Sequence, residues 1–338
     1  MKFGLVEDFR NPQKWYRPYP QLYQEILAQV SHIENLGYDN VWLTEHHFTS
    51  DGYNPSLFPT AAAIAARTER IRIGTFIVLL PFQHPVRVAE DATSVDIFSN
   101  GRFDLGVGQG YSYHEFDAFC MPRKERTSRL TEGVELIQQL WTGSGVNFNG
   151  RYTQVKDMTI SPRPVQKPHV PLWIGARAEQ ATRRVARLGC HLMATFGLDP
   201  APWYIDELKK QGRDPKNFNI AQLRFVYVAE SEDQAWADIE QHVFGMMEFY
   251  SDIVQEAKDV PGDENFWTLQ RPEDVRNSAF ADGAMVGTVD QVGQKLEKFC
   301  EEFTCTHFVM GTQLPGLDTT KANRSLEIFA KEIMPNFR

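Results

Sequence analysis

Short apolar runs rich in β-forming residues alternate with longer runs of helical period along almost the whole chain. The first apolar run, KFGLVEDF, precedes a stretch in which Leu22, Ile26, Val30 and Ile33 recur every three or four residues. Strands that are apolar throughout are typical of a parallel sheet covered by helices. About eight such strand–helix units fit the 338 residues, which favours a single-domain (β/α)8 TIM barrel over an open doubly wound sheet.

Two insertions interrupt this alternation, after the fourth and the seventh units. The first, GVNFNGRYTQVKDMTISPRPVQKP, has the composition of a hairpin or another extended excursion. The second, residues 256–286, is polar, contains Pro and Gly, and shows little periodicity. Long inserts in compact domains are commonly lids or disordered segments. Trp267 favours a lid over an apolar substrate, and a surface loop held by its aromatic residues is the alternative.

Composition argues against several classes of function. The formal net charge is −9 and we find no long basic run, so we expect no nucleic-acid binding. No apolar run approaches the roughly 18 residues of a membrane span, and the N-terminus has no signal-peptide pattern. The four cysteines lie far apart or at a spacing without a metal pattern, which indicates reduced thiols. We therefore expect a cytoplasmic protein.

The second strand ends in the densest group of titratable residues, Glu45, His46 and His47. Active sites of such barrels lie at the C-terminal ends of the strands. Consecutive strand residues point to opposite faces, so the two imidazoles cannot both face inwards as metal ligands, and we expect no metal. A single imidazole can act as an acid or a base near neutral pH. We predict that His46 transfers protons and that His47 is structural, while a structural role for both is the alternative.

The end of the fourth strand, GVGQGY, places Gly106, Gly108 and Gly110 at alternate positions, without the full spacing of a dinucleotide fingerprint. Alternate glycines on an inward face would leave a flat gap, which suits a planar ring lying against the backbone. Glycines selected for tight strand packing are the alternative interpretation.

The fifth unit, WIGARAEQATRRV, passes from strand to helix within a few residues. The free amides of Ala176, Arg177 and Ala178 at a helix N-terminus would form an anion site. Arg177 would add positive charge and Thr182 a hydroxyl. Together with a gap for a planar ring, this arrangement indicates a pocket for flavin mononucleotide (FMN), and an ordinary helix cap is the alternative.

Five segments of the sequence resemble the bacterial luciferase family of flavin-dependent monooxygenases: MKFG, GYDNVWLTEHHF, RIRIGTFIVLLPFQHPVRVAED, FSNGRFDLGVGQGY and VGTVDQV. The EHHF run is similar to that of the alkanal monooxygenase α chain. The resemblance implies a (β/α)8 barrel that binds reduced FMN supplied by a separate flavin reductase. It implies that O2 adds to the flavin and that the (hydro)peroxyflavin oxygenates an apolar organic substrate such as an aldehyde or ketone. It also implies a homodimer, paired through helices near the second and third units.

The resemblance assigns roles to individual residues. His46 is the catalytic residue, the backbone at Glu45 contacts the flavin ring, and a cis peptide bond under the flavin joins Phe76 and Ile77. The cofactor-binding candidates are Glu45, Phe76, Ile77, Gly108, Gln109, Gly110, Ala176, Arg177, Ala178 and Thr182. Our candidates for the substrate side are Phe9, Tyr111, Phe196 and Trp267.

The sequence departs from luciferase at the expected flavin site. Luciferase has Cys at the position of Gly108 and a phosphate-binding Arg at that of Gln109, and it reads Glu-Ser where this chain has Arg177 and Ala178. We hypothesise that the positive charge has moved from the fourth strand to the fifth. Two other functions fit the same architecture: a deazaflavin-dependent oxidoreductase that transfers hydride, and a non-catalytic flavin-binding relative.

Overall fold

A closed parallel barrel forms the centre of the computed structural model, which describes residues 1–195, 197, 199–257 and 269–338. The strands are β1 (Lys2–Glu7), β2 (Asn40–Leu43), β3 (Arg72–Thr75), β4 (Val78–Leu79), β5 (Phe103–Gly108), β6 (Val146–Asn149), β7 (Gln154–Met158), β8 (Leu172–Gly175), β9 (His191–Ala194), β10 (Ile220–Val228), β11 (Met285–Gly287) and β12 (His307–Gly311). Eight of them pair in the order β1-β2-β3-β5-β8-β9-β10-β12, and β12 pairs with β1 to close the barrel. The predicted (β/α)8 barrel is confirmed.

Helices connect the strands and cover the barrel. They are α1 (Tyr19–Leu36), α2 (Leu57–Ala65), α3 (Pro85–Phe98), α4 (Tyr113–Ala118), α5 (Arg126–Thr142), α6 (Glu179–Leu188), α7 (Ala201–Lys210), α8 (Glu232–Ala257), α9 (Ala279–Gly283), α10 (Val289–Glu302) and α11 (Thr319–Ile328). The periodic apolar face of α1 is buried as expected, and the helix ends at Gly37, whose φ of 88° is left-handed. In the described residues, no helix is long and apolar enough to cross a membrane.

The first insertion contains an antiparallel hairpin of β6 and β7, as its composition indicated. The second is partly structured. From residue 272 it forms a short 3-10 helix, then α9, and then β11, which pairs with the C-terminal part of β10. Val275 and Phe280 are fully buried there. Residues 272–286 are therefore not the unstructured segment that we expected, because their apolar side chains form a small core with α8. Residues 258–268 lie outside the described residues, and the lid stays a prediction there.

The N-terminal side of the barrel interior contains two histidines on either side of Trp173. The ring centroids of His191 and His307 lie 4.7 and 5.1 Å from that of the indole. Burial lowers the pKa of both imidazoles to about 4, with nearby Arg72 contributing in the same direction. Both rings are therefore neutral in the folded protein at neutral pH.

We expect the free energy of unfolding to decrease as the pH falls from about 6.5 towards 4. In that range the unfolded chain binds protons that the folded protein excludes, so the stability is complete above the unfolded pKa and is lost below it. Urea unfolding measured across this range should show a shallower decrease for His191→Gln than for the unmodified protein. His32→Gln, which removes a more exposed imidazole, is the control. Equal slopes for all three proteins would contradict the assignment.

Candidate active site

His46 lies just beyond the C-terminal end of β2, and its side chain is buried. Its Nδ1 is 2.8 Å from Oε1 of Glu115, in the short helix α4 after β5. Its Nε2 is 3.1 Å from the hydroxyl of Tyr111. This Oε1 also accepts a hydrogen bond from a backbone N–H, so it is an acceptor here and Nδ1 carries a hydrogen. In the neutral ring, Nε2 therefore accepts from Tyr111 and is the nitrogen that can take up a proton.

Glu115 fixes both the imidazole and the backbone beside it. The same Oε1 that accepts from His46 also accepts from the backbone N–H of His47, at 2.9 Å. The residue is almost fully buried, and its Oε2 has no hydrogen-bond partner. Sequence reasoning missed this residue, because it is 69 positions from His46 and only closure of the barrel brings the ends of β2 and β5 together.

His47 points away from His46, as the alternation of side chains along an extended segment predicts. Its Nε2 lies 3.0 Å from Oε1 of Glu45, and its ring packs edge-on against Phe119. The same Glu45 oxygen accepts from the backbone N–H of Leu79 at 3.3 Å. Burial raises the pKa of Glu45, and the hydrogen bond from His47 opposes this rise. The side chain of Glu45 thus links the segment after β2 to β4, a role that the sequence did not indicate.

Four aromatic rings surround the His46 imidazole. Tyr53, Tyr111, Phe249 and Tyr250 lie with their centroids 4.8–6.2 Å from it. The hydroxyls of Tyr53 and Tyr250 are 3.0 Å apart. Of these four residues, only Tyr111 was a predicted site residue. Phe249 and Tyr250 were missed because they belong to α8, whose sequence looked like that of an ordinary covering helix.

The cis peptide bond between Phe76 and Ile77 is present, as the resemblance implied. The glycines of β5, however, do not leave the flat gap that we expected. A Cβ on Gly106 would lie 2.0 Å from the carbonyl oxygen of Thr75, and one on Gly108 would lie 1.6 Å from Cδ1 of Ile77. The space beside both residues is therefore filled by the protein. Ile77 also lies 3.6 Å from the Cβ position of Gly175, so its side chain packs across β5 and β8.

The predicted phosphate region has features of an anion site. Helix α6 begins after Ala178 without a side-chain cap, and the hydroxyl of Thr182 is fully buried without a hydrogen-bond partner. The guanidinium of Arg177 lies against Gly197, whose φ is 102°. Free helix amides, a hydroxyl and a guanidinium suit a phosphate monoester, so these residues fit the phosphate of a flavin nucleotide.

Two of the remaining candidates, Gln109 and Phe9, make contacts within the protein. Gln109 accepts a hydrogen bond from the hydroxyl of Thr127 at 2.7 Å. Phe9 is in the main hydrophobic core, 4.7 Å from the ring of Tyr23, rather than beside His46. Phe196 and Trp267 lie outside the described residues. Among the described residues, no group of three His, Cys, Asp or Glu side chains could hold a metal ion.

The barrel and the buried His46–Glu115 pair place the candidate site at the C-terminal ends of the strands, as in enzymes of the (β/α)8 class. Residues 1–307 match the model of the luciferase-like monooxygenase family, and the chain belongs to this family. The chain is 31% identical to the oxygenase component of the flavin-dependent trigonelline monooxygenase of Acinetobacter baylyi, over 64% of this chain and 62% of that protein.

A second relative uses a different cofactor. The chain is 37% identical to the F420-dependent glucose-6-phosphate dehydrogenase of Microbacterium testaceum, over 53% of this chain and 57% of that enzyme. Among solved structures, the monooxygenase RslO1 of Streptomyces bottropensis superposes with a TM-score of 0.87 at 26% identity, over the whole of both chains. The family is thus one of oxidoreductases whose members use flavin or F420.

Proposed function

We propose that this protein is the oxygenase of a two-component system, which uses reduced FMN from a separate reductase and O2 to oxygenate a small organic substrate. The observation that carries the proposal is the His46 imidazole, held by Glu115 at Nδ1 and opposed by the Tyr111 hydroxyl at Nε2. A relative that is named as an oxygenase component supports the need for a reductase.

The residues that would hold FMN belong to three strand ends. Phe76, Ile77 and the backbone at Glu45 would contact the ring, and the N-terminus of α6 with Thr182 would bind the phosphate. Bound reduced flavin supplies the electrons that activate O2.

The side chains of this protein would provide the rest of the catalysis. His46 exchanges a proton at Nε2, and Tyr111 is the nearest group with which it can do so. Glu115 holds the ring in one orientation. The surrounding aromatic rings keep water away from this transfer, which prevents side reactions.

Oxygen consumption tests this proposal. Reduced FMN would be supplied to the purified protein by a flavin reductase, with a panel of aldehydes, ketones and terpenoids. Oxygen consumption that rises with one substrate and gives an oxygenated product is expected. F420 is a deazaflavin that transfers hydride, so substrate turnover with F420 under anaerobic conditions would instead support the second cofactor. FMN that binds but never turns over would indicate a non-catalytic flavin-binding protein.

We also propose that the protein is a homodimer, paired through α2 and α3. The C-terminal end of α3 supports this, because Ile97 is 39% and Phe98 66% exposed there. Neighbouring exposed apolar side chains of this size are typical of protein–protein contacts.

The charge of Arg177 gives a testable prediction for the phosphate site. We expect Arg177→Ala to weaken binding of oxidised FMN by about 10- to 100-fold, the usual loss for a hydrogen bond to a charged group. The dissociation constant can be measured by the change of flavin fluorescence on binding. Arg187→Ala, which removes a guanidinium near the other end of the same helix, should leave it unchanged. An unchanged dissociation constant in Arg177→Ala would disprove the hypothesis that the positive charge has moved from the fourth strand to the fifth.

A further inference from the structure

A buried ion pair lies one aromatic ring away from His46. Nε of Arg10 donates to Oδ2 of Asp51 at 2.6 Å, and both side chains are at most 10% exposed. The Arg10 guanidinium carbon lies 5.5 Å from the ring centroid of Tyr53 and 4.0 Å from that of Phe249. These two rings also contact His46. The pair is therefore part of the wall that surrounds the candidate catalytic group.

Each partner of this pair has a buried polar atom without a hydrogen-bond partner, Nη1 of Arg10 and Oδ1 of Asp51. One is a donor and the other is an acceptor. A buried polar group without a partner costs about 1–3 kcal/mol, and more when it is charged. A ligand that accepts one hydrogen bond and donates another would satisfy both atoms.

The charges around the pair select against an anion. Asp8 also lies beside Arg10, with Oδ1 accepting from the backbone N–H of Arg10 at 3.0 Å. Burial raises the pKa of Asp8 to about 6, and the positive charge of Arg10 opposes this rise. Two acidic side chains, Asp8 and Asp51, thus interact with one guanidinium. A ligand carboxylate would bring a further negative charge into a buried site, at a high energetic cost.

We propose that Arg10 and Asp51 determine substrate specificity by binding a neutral group that both accepts and donates a hydrogen bond, such as a carboxamide. This inference rests on the proposed function, because it assigns the pair to the substrate of the His46 site. The inference also refines the expectation of an apolar substrate. The substrate would carry one polar group, separated from the reacting atom by about the width of one aromatic ring.

Three planar probes of similar size test the inference by isothermal titration calorimetry at neutral pH. Benzamide accepts and donates, acetophenone only accepts, and benzoate is an anion. We expect benzamide to bind about tenfold more tightly than acetophenone, the value of one hydrogen bond to a charged group. Benzoate should bind most weakly. Equal dissociation constants for the three probes would overturn the inference, and this measurement needs no variant.

A charge variant identifies the residues responsible. Asp51→Asn removes one negative charge at nearly constant volume, so benzoate should gain affinity relative to benzamide. Asp91→Asn, which removes a carboxylate from an ion pair on α3, is the matched control and should keep the original order. An unchanged order of affinities in Asp51→Asn would overturn the role of the pair.

Binding of oxidised FMN to the same samples separates this inference from the proposed function. If FMN binds and the three probes bind equally, only the role of the pair is wrong. If FMN does not bind and the order of the probes holds, the pair recognises its ligand as proposed and the flavin-dependent function is wrong.

Discussion

Replacement of His46 by alanine is expected to lower kcat/KM by roughly 10²- to 10⁴-fold, the usual contribution of a general acid or base. One nitrogen of the imidazole is held by the Glu115 carboxylate, and the other lies beside the Tyr111 hydroxyl. Alanine leaves the strand that precedes it intact, so the variant should remain folded. Product formation should be measured with the reductase supplying reduced FMN, and unfolding by circular dichroism.

Two controls make the result for His46→Ala specific. His32→Ala removes an imidazole from the helix layer and should keep full activity. FMN affinity should change little in His46→Ala, because the residues assigned to the phosphate lie on the fifth unit. A folded His46→Ala protein with full turnover would exclude the proton-transfer role.

Glu115→Gln is expected to lower kcat by roughly 10²- to 10⁴-fold, because Glu115 holds the His46 imidazole. Glutamine has nearly the same shape, but its amide can donate as well as accept. It can therefore turn its NH2 group towards Nδ1, which moves the hydrogen of the neutral imidazole to Nε2. The nitrogen that should accept a proton would then carry one, as happens when the aspartate of a catalytic triad is replaced by asparagine.

The separate effects on kcat and KM distinguish this positioning role from a general structural one. The tautomer of the imidazole affects proton transfer and not substrate binding, so Glu115→Gln should lower kcat and leave KM nearly unchanged. Glu125→Gln, which removes a carboxylate at the start of α5, should keep both constants. A Glu115→Gln protein whose KM rises while its kcat is kept would argue against control of the imidazole by Glu115.

The sequence predicted the barrel because its evidence is local. Strands buried on both faces and helices with one apolar face each leave a pattern within about ten residues. The direction of the two adjacent histidines was predictable for the same reason, since it depends only on alternation along the chain. His46 could therefore be placed in the site before its partners were known.

Apart from Tyr111, the partners of His46 were not predictable in this way. Glu115 stands in a short helix without a recognisable motif, and Phe249 lies near the end of a 26-residue helix. Both reach the imidazole only through the closed geometry of the barrel. The glycines of β5 are a different case: Gly106 lies against the Thr75 carbonyl and Gly108 against the end of the Ile77 side chain, and contact of these glycines with a flavin ring stays a prediction. Glycines in a sequence indicate that space beside the backbone is required, but not which group occupies that space.

The barrel interior also contains two indoles, Trp42 and Trp173, edge to face with centroids 5.3 Å apart. Trp42 packs against Phe76, at the peptide bond assigned to the flavin ring. Both indoles are shielded from water. Excited-state energy would pass from these residues to a bound isoalloxazine, whose near-ultraviolet absorption overlaps indole emission. Binding of a flavin should therefore lower the tryptophan fluorescence of the protein, so that binding can be followed without a label.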